Sequence, residues 1–117
     1  MAGPAPRVFR PETGMSGADI VRRGPLEINR AAWRATWNGA TVHLTATEFR
    51  IVDRLARARG IVPHVRLLAI KRPLRPFRHE SRTINCTVRR IRWAFRVHDS
   101  GFNAIQAERG EGYRWRE

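Results

Sequence analysis

The feature that most constrains this chain is the run S-R-T-I-N-C-T-V-R-R-I-R-W-A-F-R, from Ser81 to Arg96. Its large apolar residues Ile84, Val88, Ile91 and Phe95 recur at i, i+4, i+7 and i+11. At about 100° per residue they form one narrow stripe, which predicts an amphipathic helix packed on a core. The other side carries Arg82, Cys86, Arg89, Arg90, Trp93 and Arg96, with no acidic residue among them. A solvated helix face usually mixes signs. Here no carboxylate stands at helical spacing, so the guanidinium groups repel one another until an anion arrives. A packed helix that turns arginines outward has the shape that enters a DNA major groove. The plainer reading, a charged surface helix, has to be weighed against the rest of the chain.

Charge favours the first reading. The net charge is +13 in 117 residues, and Lys71 is the only lysine, so the basic surface is almost entirely arginine. Arginine suits bidentate contacts to phosphate and guanine better than lysine does. The excess is localised: residues 64–98 hold ten basic residues against Glu80 alone, whereas residues 99–117 are near neutral. A membrane-binding basic helix would need an exposed apolar face, and no long apolar run occurs. The single cysteine, Cys86, excludes an internal disulfide and fits a reducing compartment. His43, His64, His79 and His98 match no zinc spacing, so neither metal nor cofactor is expected. With no signal peptide or transmembrane stretch, the expected location is the cytoplasm, at the nucleoid.

Residues 1–24 are rich in proline and glycine and read as a flexible basic tail or linker, with residues 25–117 as the folded domain. From Pro25 the pattern changes to strands. Leu26 and Ile28 alternate with polar neighbours, and Trp33 to Trp37 alternates again, which sends both tryptophans to a sheet's covered face. Asn38-Gly39 is a two-residue hairpin turn, with Ala40 to Leu44 as the return strand. Thr45-Ala46-Thr47-Glu48 is a capping box that opens a helix running to about Arg59, with Phe49, Val52, Leu55 and Ala56 inward and Gly60 as the stop. Glu48 is thereby a cap and not a catalytic acid. Pro63 starts a second helix, His64 to Ile70, with Val65, Leu68 and Ala69 inward. Lys71 to Glu80 contains Pro73 and Pro76 and is a basic loop. Ser81 is the candidate cap of the third helix. Phe102 to Ala107, a turn at Glu108 to Gly112, and Tyr113 to Trp115 form a hairpin with Arg109 at its tip. Alternation puts Tyr113 and Trp115 on one face and Arg114 and Arg116 on the other.

The expected architecture is therefore α+β: an N-terminal antiparallel sheet, three helices and a C-terminal hairpin wing. This order resembles the winged helix-turn-helix DNA-binding domains of OmpR/PhoB type. The resemblance rests on L-T-A-T-E-F at Leu44 to Phe49, R-T-I-N-C-T-V-R-R-I-R at Arg82 to Arg92, and I-Q-A-E-R-G-E-G-Y-R at Ile105 to Arg114. Each motif alone is weak, but three in order span nearly all of residues 25–116.

The resemblance implies a transcription regulator whose third helix lies in the major groove of double-stranded DNA and whose wing reaches the adjacent minor groove. It implies phosphate contacts by Arg82, Thr83, Thr87 and Arg89, base readout by Arg90, and minor-groove entry by Arg109. Helical geometry agrees for Arg82, Arg89 and Arg90 and puts Thr87 nearer the flank. Trp93 departs from the family pattern, which has a polar or charged residue there; it joins the expected DNA-facing set, with a neighbouring protomer or the basic 71–80 loop as the other surfaces open to it. Relatives commonly carry a receiver domain, whereas only a 24-residue tail precedes this domain, so phosphorylation-driven dimerisation finds no support. The partners expected are DNA, a second copy on tandem half-sites, and RNA polymerase through the 71–80 loop. The alternative is a nucleoid-associated or polymerase-docking adaptor. An enzyme is not expected: no nucleophile–base arrangement or carboxylate pair can be assembled, and Gly110-x-Gly112 sits in a hairpin turn rather than a phosphate-binding loop.

Overall fold

The computed structural model describes residues 19–71 and 80–116, with side chains at 19–70 and 83–116. A four-stranded antiparallel sheet comes first, in the order β1 (Ile20–Arg23), β2 (Leu26–Asn29), β3 (Arg34–Trp37), β4 (Ala40–Val42). Helices α1 (Ala46–Arg57), α2 (His64–Lys71) and α3 (Glu80–Arg96) follow. A second sheet, ordered β5-β7-β6, joins the short β5 (Val62–Pro63) to the hairpin of β6 (Ile105–Glu108) and β7 (Gly112–Trp115). The α+β winged-helix expectation holds.

Alternation builds the first sheet as expected. Leu26, Ile28, Ala35, Trp37 and Val42 all face the core, and the register pairs Leu26 with Trp37 and Ile28 with Ala35. The Asn38-Gly39 turn has φ of 51° and 84°, the doubly positive pair that a tight hairpin requires. Two expectations fail here. Residues 20–23 belong to the sheet and not to the tail, because β1 pairs along its whole length with β2; residues 1–18 lie outside the described residues. Trp33 is not on the covered face: it sits in the β2–β3 turn at φ 54° and is 53% exposed, with its ring 5.0 Å from that of Phe49. Asn29 Oδ1 accepts from the Ala32 amide and stabilises that turn.

The capping box at α1 is complete. The Glu48 amide donates to Thr45 Oγ1 at 3.2 Å, and Glu48 Oε1 accepts from the Thr45 amide at 3.0 Å. The expected stop at Gly60 does not occur; the helix ends at Arg57 and Ala58 is already extended. Arg23 of β1 supplies the missing donors instead, to the carbonyls of Ala56 at 2.7 Å and Ala58 at 3.3 Å, and reaches the Trp115 carbonyl at 3.4 Å. A cation at a helix C-terminus also suits the macrodipole.

Pro63 is a strand residue, paired with Gly112, and α2 begins after it. This docking sets the rotation of α2, so Leu67 and Leu68 are buried whereas Val65 and Ala69 are exposed. Gly112 has no substitute there, since a Cβ would run into the backbone of Val62 and Pro63. Ser81 lies inside α3 and not at its cap, and the loop at 72–79 lies outside the described residues. Phe102 precedes β6 and yet is buried with Phe95, their rings stacked at 4.4 Å.

Replacing Arg23 with Ala removes charged donors to three carbonyls. It is expected to lower the unfolding free energy by about 1.5–3 kcal/mol in urea denaturation. An unchanged midpoint would show that β1 contributes nothing to closing α1.

Candidate nucleic-acid interface

The third helix has 17 residues, about 25 Å of axis. Ile84, Val88, Ile91 and Phe95 are fully buried, as their spacing predicts. Cys86, Arg89, Arg90 and Trp93 therefore point away from the core, and all are exposed. Arg96 is exposed as well, but its Nε donates to the Phe102 carbonyl at 3.2 Å and so ties down the turn after the helix.

Three carboxylates are paired elsewhere. Glu27 pairs with Arg22, Asp53 with Arg30 and Arg57, and Glu108 with Arg114. Among the described residues no carboxylate pairs with Arg89, Arg90 or Arg109. Positive charge on the exposed face of α3 thus has no carboxylate partner among the described residues, whereas at the hairpin tip Arg109 shares its turn with Glu111. Arg109 is exposed there, beside Gly110 at φ 76°, and the Glu111 amide closes the turn on the Glu108 carbonyl.

Thr87 does not join this face. It is 2% exposed, and its hydroxyl donates to the Thr83 carbonyl at 3.1 Å. Its position on the helix lies between the apolar stripe and the flank, and a threonine there satisfies its hydroxyl on the preceding turn. Thr83 is half-buried at the start of the helix. The Arg82 side chain lies outside the described residues, with its backbone in the first turn of α3.

Three residues that sequence reasoning did not assign to the site fix the wing to α3. The Tyr113 hydroxyl on β7 donates to Asn85 Oδ1 on α3. Arg92 lies over the Tyr113 ring at 5.7 Å and donates to the Ile105 carbonyl of β6 at 2.9 Å. Burial pushes the Arg92 guanidinium below its ordinary pKa and the Tyr113 phenol above its own, although Arg92 and Arg89 nearby pull the phenol back down. Alternation already turned Tyr113 inward, but its partner lies 28 residues away and leaves no local trace. Both hairpin strands are thus attached to the arginine-bearing helix, which holds tip and helix in a fixed relation.

Residues 39–115 match the family described as "Transcriptional regulatory protein, C terminal". The chain belongs to this family. It is an OmpR/PhoB-type DNA-binding domain, of a class that serves transcription regulation and not catalysis. The fold is similar to the DNA-binding domain of CpxR from E. coli, at 25% identity and TM-score 0.68, over 84% of this chain and 96% of that one. The RstA DNA-binding domain of Klebsiella pneumoniae, solved in complex with the RstA box, gives TM-score 0.69 at 20% identity, covering 83% of this chain and 96% of that one. DrrB of Thermotoga maritima, an OmpR/PhoB homolog, gives 0.68 at 24% identity, over 85% of this chain but only 45% of DrrB. Among the described residues of this OmpR/PhoB-type domain, no helix is long and apolar enough to cross a membrane.

Tyr113 is the only tyrosine, so its titration can be followed directly by phenolate absorbance. Its midpoint should lie above the ordinary 10.0. Because the folded state holds this proton more tightly than the unfolded chain, the stability it confers is intact below pH about 10 and is lost as pH rises through the folded pKa. Tyr113→Phe should remove that alkaline decline and cost about 1 kcal/mol at neutral pH. A phenol that titrates at its ordinary value would contradict the buried contact.

Proposed function

We propose that this domain recognises specific double-stranded DNA with α3 in the major groove and the β6–β7 tip in the adjacent minor groove. The observation that carries the reading is the exposed, carboxylate-free arginine face of α3, set opposite a fully buried apolar stripe. The likeness of the fold to an RstA DNA-binding domain solved in complex with its RstA box supports DNA binding by this fold. Arg89 anchors phosphate, together with Thr83 and Arg82 at the helix start, where backbone amides also favour an anion. Arg90 reads a base edge, with guanine the natural partner of its two-pronged donor set. Arg109 enters the minor groove.

One such domain covers a small area, so two copies on tandem half-sites would bind with useful affinity. The basic segment from Lys71 to Glu80 is the place for a contact with RNA polymerase. These assignments call for a protein that works on chromosomal DNA, in the cytoplasm.

The test is to bind the purified chain to sheared genomic DNA at near-physiological salt and to sequence what is retained. Enriched fragments that share a repeated half-site are expected. Flat coverage that follows phosphate density alone would overturn specific recognition.

Arg90→Ala should then flatten preference at one or two base positions, worth about 1–3 kcal/mol of discrimination, with nonspecific affinity kept. Equal weakening on every sequence would contradict base readout by Arg90. Arg89→Ala should weaken all sequences alike and reduce the slope of log affinity against log salt by about 0.9. A slope that stays the same would remove Arg89 from the phosphate contacts.

A further inference from the structure

Trp93 is 72% exposed, more than any other large apolar residue among those described. On the helix it lies three residues from Arg90 and four from Arg89, opposite the Ile84–Phe95 stripe. Its carbonyl accepts from the Val97 amide at 3.1 Å, so the backbone is still helical there and the direction of the indole is set by the helix. An indole so exposed forgoes the burial that an aromatic ring normally supplies, and it does so in the middle of a cationic face.

The neighbours of Trp93 limit what can cover it. Arg89, Arg90 and Arg96 surround it within one turn on either side, and no acidic residue occurs between Ser81 and Arg96. An apolar protein surface brought to this ring would have to be placed against those guanidinium groups. A surface that is anionic overall but has an apolar group at the right depth fits both features. The DNA major groove is such a surface, and its one apolar substituent is the 5-methyl group of thymine.

We infer that Trp93 is a specificity-determining residue that covers a thymine 5-methyl group in the major groove, next to the base read by Arg90. This rests on the docking proposed above. Along the helix axis Trp93 stands roughly 4.5 Å beyond Arg90, a rise comparable to one base step of about 3.4 Å. The ring therefore faces a neighbouring base pair and not the one Arg90 reads. Arginine selects by hydrogen bonds, and the indole adds an apolar criterion beside it, so the pair distinguishes thymine from cytosine at that step.

The test uses the whole chain and one duplex recovered from the genomic-fragment selection. Each thymine is replaced singly by deoxyuridine, which removes the methyl group and leaves the pairing edge intact. With the natural chain, one replacement should weaken binding by roughly fourfold, the value of one buried methyl group. With Trp93→Ala that position should become indifferent to the methyl group, while the effects at other thymines persist. Trp93→Phe should retain part of the sensitivity, and the exposed position leaves the core and the melting temperature unchanged.

The inference is overturned if no thymine loses its methyl effect in Trp93→Ala. It is equally overturned if that variant loses self-association in sedimentation while its DNA preferences stay intact, which would make the ring a protein contact. Failure of the docking itself looks different: no duplex is then selected at all.

Discussion

The arrangement depends on a cluster of four aromatic rings, three of them packed around Trp37. Its indole meets Phe102 at 4.9 Å, Phe95 at 5.6 Å and Trp115 at 6.1 Å, each in an edge-to-face geometry. Such contacts contribute about 0.5–1.5 kcal/mol each beyond the area they bury. More important is where the rings come from: β3, the end of α3, the loop before β6, and the last residue of β7. The indole Nε1 also donates to Asp99 Oδ2 at 2.9 Å, and Asp99 Oδ1 accepts from the Gly101 amide at 3.0 Å. The turn that leaves α3 is therefore closed by a residue of the N-terminal sheet. Helix and hairpin inherit their relative position from this cluster, with the Tyr113–Asn85 contact and Arg92 holding a second point.

What was legible in the sequence was what local geometry controls. The capping box at Thr45–Glu48, the stripe on α3 and the Asn38-Gly39 turn each depend on residues within a few positions of one another, and each formed as expected. What escaped depends on partners far along the chain. Residues 20–23 look like the end of a proline- and glycine-rich tail until Arg23 is seen to close a helix more than thirty residues away. The rotation of α2 is set by the pairing of Val62 and Pro63 with β7, so its own periodicity could not show that Leu67 is buried and Val65 is not. Thr87 misled for a different reason. A family pattern marks it as a contact, yet on this helix its hydroxyl is turned back on Thr83.

The distribution of acids is as informative as that of bases. Asp53, Glu27 and Glu108 neutralise arginines on α1, the first sheet and the hairpin strands. Exposed pairs of this kind contribute little to stability. Their effect is on the field: pairing offsets part of the basic charge on the sheet, α1 and the hairpin strands, whereas Arg89 and Arg90 on the exposed face of α3 have no carboxylate partner among the described residues. A uniformly basic protein would bind phosphate in any orientation, whereas this arrangement favours one face.

The Arg23 side chain has a consequence for chain order. It connects β1 to the Trp115 carbonyl, across 92 residues of sequence, at the base of the hairpin and at the opposite end of β7 from the Arg109 turn. The first and last strands of the folded part are thus neighbours. Joining them by a short linker and opening the chain at another exposed turn would keep every sheet pairing. Arg23 thus joins the end of β1 to the base of the hairpin, far along β7 from the Arg109 turn.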